Sequence, residues 1–558
     1  MSMLAAISRT TRIDTDRLIV LGMGLVIAIP LFVFVAYPLL VVFAKSFITP
    51  SGAWGIANYI EAFSTSRFWG VVYNSFEVSI AVTVLAILFG FAYAYALQRA
   101  ELPLKAFFGV IATVPLFAPS LVQALGLVFL MGRNGLINQY FGTDLDIYGF
   151  WGILISDTIY AFPQAFLVFS AALSAADGRL YEAAKVMGAG RVRIFFHVTL
   201  PSIRYGTVSA IFLVFTITIT DFGNPMVIGG NYSVLATEIY NQVSGQMNFN
   251  LGAVIAIILL IPTAGSFAVM RWMTKAQYAV VSEQAQPLVP DKEPLVDGLL
   301  LSFVALIAAI ILLVVGVVIW ASFVKLWPYN LSLTFNNYIV DVQGGWAPLW
   351  TSIEASLMAA VLGVVMVIGG AYVIHKVNNN FTKLLNALSI LPAAVPGMVL
   401  GLAYVFAFNT PDNPVYIIYD TVILLAIINM YHYHAQGYLT ANTSFKQISH
   451  TFDEASTCLG ANFFETMRRV TLPMIMPTVL SVGVFFFMRS MVTLAAVIFL
   501  VTPKVQLAAV SVMLLDDAGN ITQAAAFSTA IIGVVLAALV SLRFVLRLFG
   551  VESRSFIS

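Results

Sequence analysis

The chain has 558 residues, of which 60% are apolar and only 9% charged, with a mean hydropathy of +0.94. So few charges cannot cover a protein of this size for water, which excludes a soluble globule and makes lipid the main solvent. A net charge near +1 gives no ground for a nucleic-acid partner, and a single cysteine, Cys458, excludes an internal disulfide and any paired-cysteine metal site.

In chain order, a polar start carrying Arg9, Arg12 and Arg17 precedes an apolar run too long for a cleaved signal, so an uncleaved first helix is expected. Long apolar stretches recur at 18–44, 72–98, 106–132, 150–174, 203–228 and 251–271. They recur again at 297–322, 353–375, 384–408, 416–438, 474–500 and 524–547. Each is long enough to cross a hydrocarbon core of roughly 30 Å as a helix. None alternates as a barrel strand does, and lipid leaves backbone groups no partner outside a helix or a closed barrel. The expectation is an all-α polytopic membrane protein of about twelve transmembrane helices. With the N-terminus inside, most of the 27 Lys and Arg fall on the cytoplasmic side, which places both termini there.

The second half repeats the first. NSFEVS at 74–79 resembles TSIEAS at 351–356, VPLFAP at 114–119 resembles LPAAVP at 391–396, and NYI occurs at 58–60 and 337–339. Six spans per half imply parallel repeats. The halves are read as 1–281 and 299–558, joined by a polar, proline-containing cytoplasmic linker at 282–298.

Two polar islands between spans carry the most specific signal. The first reads YEAAKVMGAGRVRIFFHVTLP, the second DEASTCLGANFFETMRRVTLP. At a constant offset of 272, Glu182 and Ala183 align with Glu454 and Ala455, and Ala184 with Ser456. Gly188 likewise aligns with Gly460, and Leu200-Pro201 with Leu472-Pro473. Each island opens on a residue suited to a helix N-cap, Asp177 or Ser449. Each then bends or ends at its glycine and re-enters the membrane at Leu-Pro. Two unrelated amphipathic connectors would explain the caps but not the shared spacing.

That spacing resembles the EAA motif of the permease subunits of ATP-binding-cassette importers, with Val198 and Val470 in place of the usual isoleucine and Ser456 in place of the second alanine. The resemblance spans essentially the whole chain and implies the type I importer permease fold. It implies that Glu182, Ala183, Ala184, Gly188, Leu200 and Pro201, with Glu454, Ala455, Gly460, Leu472 and Pro473, dock two copies of a cytoplasmic ATPase. An extracytoplasmic substrate-binding protein would deliver cargo to the outer side of a bacterial inner membrane. More narrowly, the length and the DFGNP run resemble the ferric-iron, thiamine and 2-aminoethylphosphonate permeases. The MRSM run at 488–491 leans to the phosphonate branch, with ferric iron next and polyamine last.

Candidate translocation-path residues follow from the cost of placing ionisable groups in lipid. Asp221 in ITITDFGNP and Arg489 in FFFMRSMV are the two expected inside spans. Arg489 aligns with Ile217, one helical turn before Asp221, so the two either pair to hold the halves together or line a polar path. Such a path would suit a zwitterion through charge-assisted hydrogen bonds. Gly223, Asn224 and Pro225 should break the fifth span, and broken membrane helices are tolerated where they line a cavity or pack in protein. Glu77 and Glu354 are read as structural first-turn carboxylates. His432 and His434, two residues apart, face different sides of a helix, so no metal is expected.

No Gly-Lys pair exists in the chain, so no phosphate-binding loop of that type does. The chain is read as no enzyme and as holding no cofactor, with ATP and magnesium on the partner ATPase. The rivals are an ion-coupled secondary transporter, which commonly needs more intramembrane ionisable groups, and a non-transporting membrane scaffold.

Overall fold

A computed structural model describes residues 20–49, 51–278, 286, 288, 290, 292–340, 344–377 and 379–548. The arginines of the polar N-terminus lie outside the described residues. Among the described residues the long apolar stretches read from the sequence are helical over most of their length; the eleventh is an exception at its end, where helix stops at Val492 and residues 493–500 run on as coil and turns. Among the described residues nine helices are long and apolar enough to cross a membrane, or eleven if each of two bent pairs is one span. The difference from twelve lies in the ninth, tenth and eleventh stretches, the eleventh being bent by 66° between Met474 and Met476; the third is counted from Leu121 onward although it too is interrupted. At Pro115 the third stretch passes through a 3-10 turn, Val114–Phe117, between Lys105–Thr113 and Leu121–Met131. At Pro392 and Pro396 the ninth turns by 112°. The tenth forms a 25-residue helix, Val422–Lys446, but carries Asn429, His432, His434 and Gln436. That helix is largely buried by protein, which removes the demand for an apolar surface.

The compact units do not follow the sequence boundary between the halves. One comprises Met1–Lys45, Ala347–Leu507 and Val534–Ser553, the other Ser46–Trp346 with Ala508–Gly533 and Arg554–Ser558, each counted over its described residues. The opening helix of each half therefore belongs to the unit built mainly from the other half. Shape complementarity of aromatic rings is one reason. Phe34, on the helix Val20–Ser46, stacks on Tyr431 at 5.7 Å and meets Phe408 at 5.6 Å. In the other unit, Trp327, just after the helix Pro294–Ala321, meets Phe129 edge-on at 5.0 Å. Of the linker expected at 282–298, residues 282–285, 287, 289 and 291 lie outside the described residues, and the last five belong to a helix. Pro294 already begins a helix, whose first turn is closed by Asp297 accepting from the Glu293 amide at 2.9 Å.

The repeated NYI performs one job twice. Asn58 Nδ2 donates to the carbonyls of Ser46 (3.0 Å) and Ile48 (2.8 Å), while Tyr59 and Ser46 hydroxyls lie 2.8 Å apart. In the second copy Asn337 Nδ2 donates to Ser322 (3.0 Å) and Val324 (2.7 Å), and Tyr338 and Ser322 hydroxyls lie 2.9 Å apart. Both asparagines are buried, so each amide satisfies two carbonyls freed where the opening helix of its half ends. Glu77 and Glu354 are not first-turn residues. Their helices begin earlier, at Ser66 and Ala347, and Glu77 instead accepts from the Tyr232 hydroxyl at 2.7 Å.

Removal of either clasp should have the same consequence. Asn337→Ala leaves two carbonyls without a donor and should destabilise the detergent-solubilised protein by about 1–3 kcal/mol, read as a lower thermal midpoint. Asn58→Ala should match it, and Asn330→Ala in the exposed hairpin should leave the midpoint close to wild type.

Candidate functional site

The two islands adopt one backbone conformation at one offset. In the first, the helix Gly178–Val186 is capped by Asp177, whose carboxylate accepts from the Arg179 amide at 3.1 Å. The hydrogen-bonded Arg179 guanidinium holds the Asp177 carboxyl down at about 2, so it is ionised at any pH the protein meets. In the second, His450–Cys458 begins behind Ser449, whose hydroxyl accepts from the Thr451 amide at 3.3 Å. Gly188 and Gly460 end these helices at φ +77° and +81°. In that left-handed region a side chain costs about 1–2 kcal/mol. The following amides turn back alike, Ala189 to Ala184 at 3.0 Å and Ala461 to Ser456 at 3.1 Å.

A wide turn then recurs, Phe195–Thr199 and Met467–Thr471, immediately before Leu-Pro. Pro201 and Pro473 lack the amide that an α-helix would need and crowd the carbonyl four residues back, which an inserted π-turn relieves. After the turn the islands diverge. The first runs on as one helix, Arg191–Ile219, whereas the second bends by 66° between Met474 and Met476.

The same faces of both islands point outward. Glu182, Ala183 and Gly188 are exposed, as are Glu454, Ala455 and Gly460, and so are the re-entry prolines. At the tips Val186 is 88% and Met187 79% exposed, and Leu459 is 88% exposed. Apolar tips this open on a polar island are what a partner surface would cover. Ala184 and Ser456, by contrast, face inward. The Ser456 departure from the motif therefore lies on the protein side: its hydroxyl is 2.7 Å from that of Thr466, where the first island has Ala184 and Ile194. A cleft between the first helix and its re-entry is lined by Gly188, Gly190, Arg191, Val192, Phe196 and His197.

The path candidates around residue 221 form a packed junction. The helix Leu200–Ile219 stops, and a short helix, Gly223–Ile228, starts after three residues. Asp221 Oδ2 accepts from the Asn224 amide at 3.0 Å. Asn224 donates through Nδ2 to Asp157 Oδ1 at 2.8 Å, and its Oδ1 accepts from the Ala124 amide at 3.0 Å. Ala124 sits in the first turn of Leu121–Met131, where helix amides lack internal partners. One asparagine thus ties together the breaks of the third and fifth stretches and the intact fourth. Asp221, Gly223, Asn224 and Pro225 are all buried.

Asp157 is a member of this junction that the sequence reading passed over. It is 1% exposed within the helix Phe150–Ser174, so intramembrane ionisable residues include at least this third one. The 272 offset held a usable signal, since Asp157 aligns with Asn429, a polar residue in an equally apolar setting. Asn429 Nδ2 donates to Ser490 Oγ at 2.7 Å, so both halves bind their fourth and fifth helices through this position. Arg489 is half-buried, with its guanidinium carbon 4.8 Å from the Tyr433 ring centroid. Thr493, aligned with Asp221, donates to the Tyr433 hydroxyl at 3.0 Å.

Comparison with known proteins agrees with a doubled chain. The family model described as binding-protein-dependent transport system inner membrane component matches twice, over residues 86–277 and 370–550. The protein of Haemophilus influenzae provisionally named as ferric transport system permease FbpB 1 is 28% identical over 87% of this chain and 78% of its own length. The ferric transport system permease FbpB of Actinobacillus pleuropneumoniae is 27% identical over 95% and 79%. The molybdenum transport system permease ModB of Escherichia coli is 26% identical over 38% of this chain but 95% of its own, a single-half relative.

The repeat makes residue 157 testable. Asp157→Asn, which copies the second half, should retain an acceptor for Asn224 and give a thermal midpoint near wild type. Asp157→Ala should leave the buried Asn224 amide unpaired and cost about 1–3 kcal/mol, measured by thermal unfolding in detergent.

Proposed function

We propose a mechanism for a chain that belongs to the family of binding-protein-dependent transport system inner membrane components, and is therefore the multi-pass permease of an ATP-binding-cassette importer. Two copies of an ATPase subunit dock on the two islands from the cytoplasm, one at Glu182–Gly188 and one at Glu454–Gly460. Both termini lie on that side, and a binding protein loads cargo from the other. ATP and magnesium are held by the ATPases, and this chain holds no cofactor. Closure of the ATPases on ATP draws the islands together, and the re-entry helices behind Leu200-Pro201 and Leu472-Pro473 carry the displacement into the membrane.

The single observation supporting this reading is the conformational match of the islands. Cap, left-handed glycine and π-turn recur residue for residue at one offset. Two copies of one rigid shape suit two copies of one partner, and the exposed tips Val186, Met187 and Leu459 suit insertion into a cleft.

Ferric iron is the cargo we favour. The relatives aligned over most of the chain are named for ferric transport, which reverses the order drawn from the MRSM run and leaves 2-aminoethylphosphonate without support among them. The path runs past the broken fifth span. Asp221 supplies the hard oxygen donor that suits a ferric ion, whereas the Arg489 guanidinium does not. Reconstituted permease, ATPase and binding protein should accumulate radiolabelled ferric iron on ATP, and uptake of 2-aminoethylphosphonate instead would overturn the cargo assignment. Arg489→Ala with undiminished uptake would remove that residue from the path.

Docking is tested at the island tips. In a Cys458→Ser background, Val186→Cys and Leu459→Cys should each cross-link to the ATPase in native membranes. Gly188→Val, forced into the left-handed region at about 1–2 kcal/mol, should lower uptake per ATP hydrolysed at unchanged membrane abundance. Normal coupling in that variant would count against the docking model.

A further inference from the structure

The first island is held by the segment that joins the two halves. Gly178 N, in the first turn of the island helix, donates to the Gln286 carbonyl at 2.8 Å. The Gln286 amide in turn approaches the Asp177 cap carboxylate at 3.4 Å. The fit is close, because a Cβ at 178 would stand 3.0 Å from Leu288 Cα and 3.1 Å from the Gln286 carbonyl oxygen. Further along the segment Lys292 Nζ lies 3.4 Å from Glu101, and Glu293 forms an ion pair with Arg191 at the start of the re-entry helix. The segment then enters the membrane at once, since Pro294 opens the helix Pro294–Ala321.

These contacts engage the island at both ends, its cap at 177–178 and its exit at 191. Arg99 also donates to the Leu173 carbonyl at 2.7 Å and lies over the Tyr181 ring at 5.0 Å. Among the described residues, the side-chain hydrogen bonds of the second island run within it: Ser449 with Thr451, Ser456 with Thr466, and Asn462 with Glu465. A joining segment needed only as a tether has no reason to supply a carbonyl, an amide and two charges to one docking loop.

We propose that Gln286, Leu288, Lys292 and Glu293 form a positioning strap for the first island. Gln286, Lys292 and Glu293 fix the island's angle for its ATPase and couple its displacement to the helix Pro294–Ala321. The two islands are then mechanically inequivalent despite their shared shape. The inference rests on the docking reading above, and its test separates the two.

The experiment uses the full importer with one reporter cysteine at a time, Val186→Cys or Leu459→Cys, in a Cys458→Ser background. Glu293→Arg should lower ATPase cross-linking at position 186 roughly two- to fivefold, the ratio expected from losing one partly exposed ion pair, and leave position 459 unchanged. Adding Arg191→Glu, which re-forms the pair with reversed signs, should restore position 186. Gly178→Val, which displaces Leu288 without altering any charge, should reproduce the selective loss. Equal loss at both positions, or no loss at 186 in either variant, would overturn the strap. Absence of cross-linking at both positions in the parent would overturn the docking reading instead.

Discussion

A helix interrupted inside a bilayer frees amides and carbonyls where no water can reach them, so the break exists only if other parts of the protein supply partners. In the first half Asn224 is that supply. Its backbone amide is taken by Asp221, its side-chain oxygen Oδ1 accepts from the Ala124 amide, and its side-chain Nδ2 donates to Asp157. Losing it would strand groups on three elements at once. The position of the re-entry helix that leaves the first island depends on this junction, because Leu200–Ile219 ends against it.

The second half meets the same constraint with different residues. Where the first half places Gly223 against Ser120, leaving no room for a Cβ at 223, the second puts the glycine on the opposite side. Gly397 aligns with Ser120, and a Cβ there would meet Ala496 N at 3.1 Å and the Ala495 side chain at 3.3 Å, Ala495 standing where Gly223 does. A close approach between two broken helices requires one partner to lack a side chain, and either partner suffices. Asp157 and Asn429 diverge by the same logic, since each needs only to present a polar side chain to the neighbouring helix. So does the exchange of Ala184 with Ile194 for the hydrogen-bonded Ser456 and Thr466.

What the sequence could show was whatever acts locally or is written twice. Caps, left-handed glycines and Leu-Pro re-entries are decided within a few residues, and the islands at 177–201 and 449–473 were legible to that degree. The NYI repeat was visible, although its work of satisfying carbonyls at the end of an opening helix was not. Asp157 was missed because one carboxylate barely changes the hydropathy of a 25-residue apolar run. Its importance comes from Asn224, 67 residues away. The exchange of opening helices between compact units was likewise invisible, because nothing within an apolar helix names the half it packs against. Glu77 was misplaced because Asn74-Ser75 resembles a helix cap, whereas the helix runs through it from Ser66.

The asymmetry between the halves bears on how force would travel. A straight helix transmits a displacement along its axis, whereas a bend converts part of that displacement into rotation about the break. The first island leads into an unbroken helix from Arg191 to Ile219 and is gripped at cap and exit by the joining segment. The second leads into a helix bent by 66° at Ile475. Equal pulls on two islands of one backbone shape would therefore produce different motions, a push along the fifth helix in one half and a swing of its counterpart in the other. Fusing the halves into one chain fixes which island receives which motion, something that a permease assembled from two identical subunits could not do.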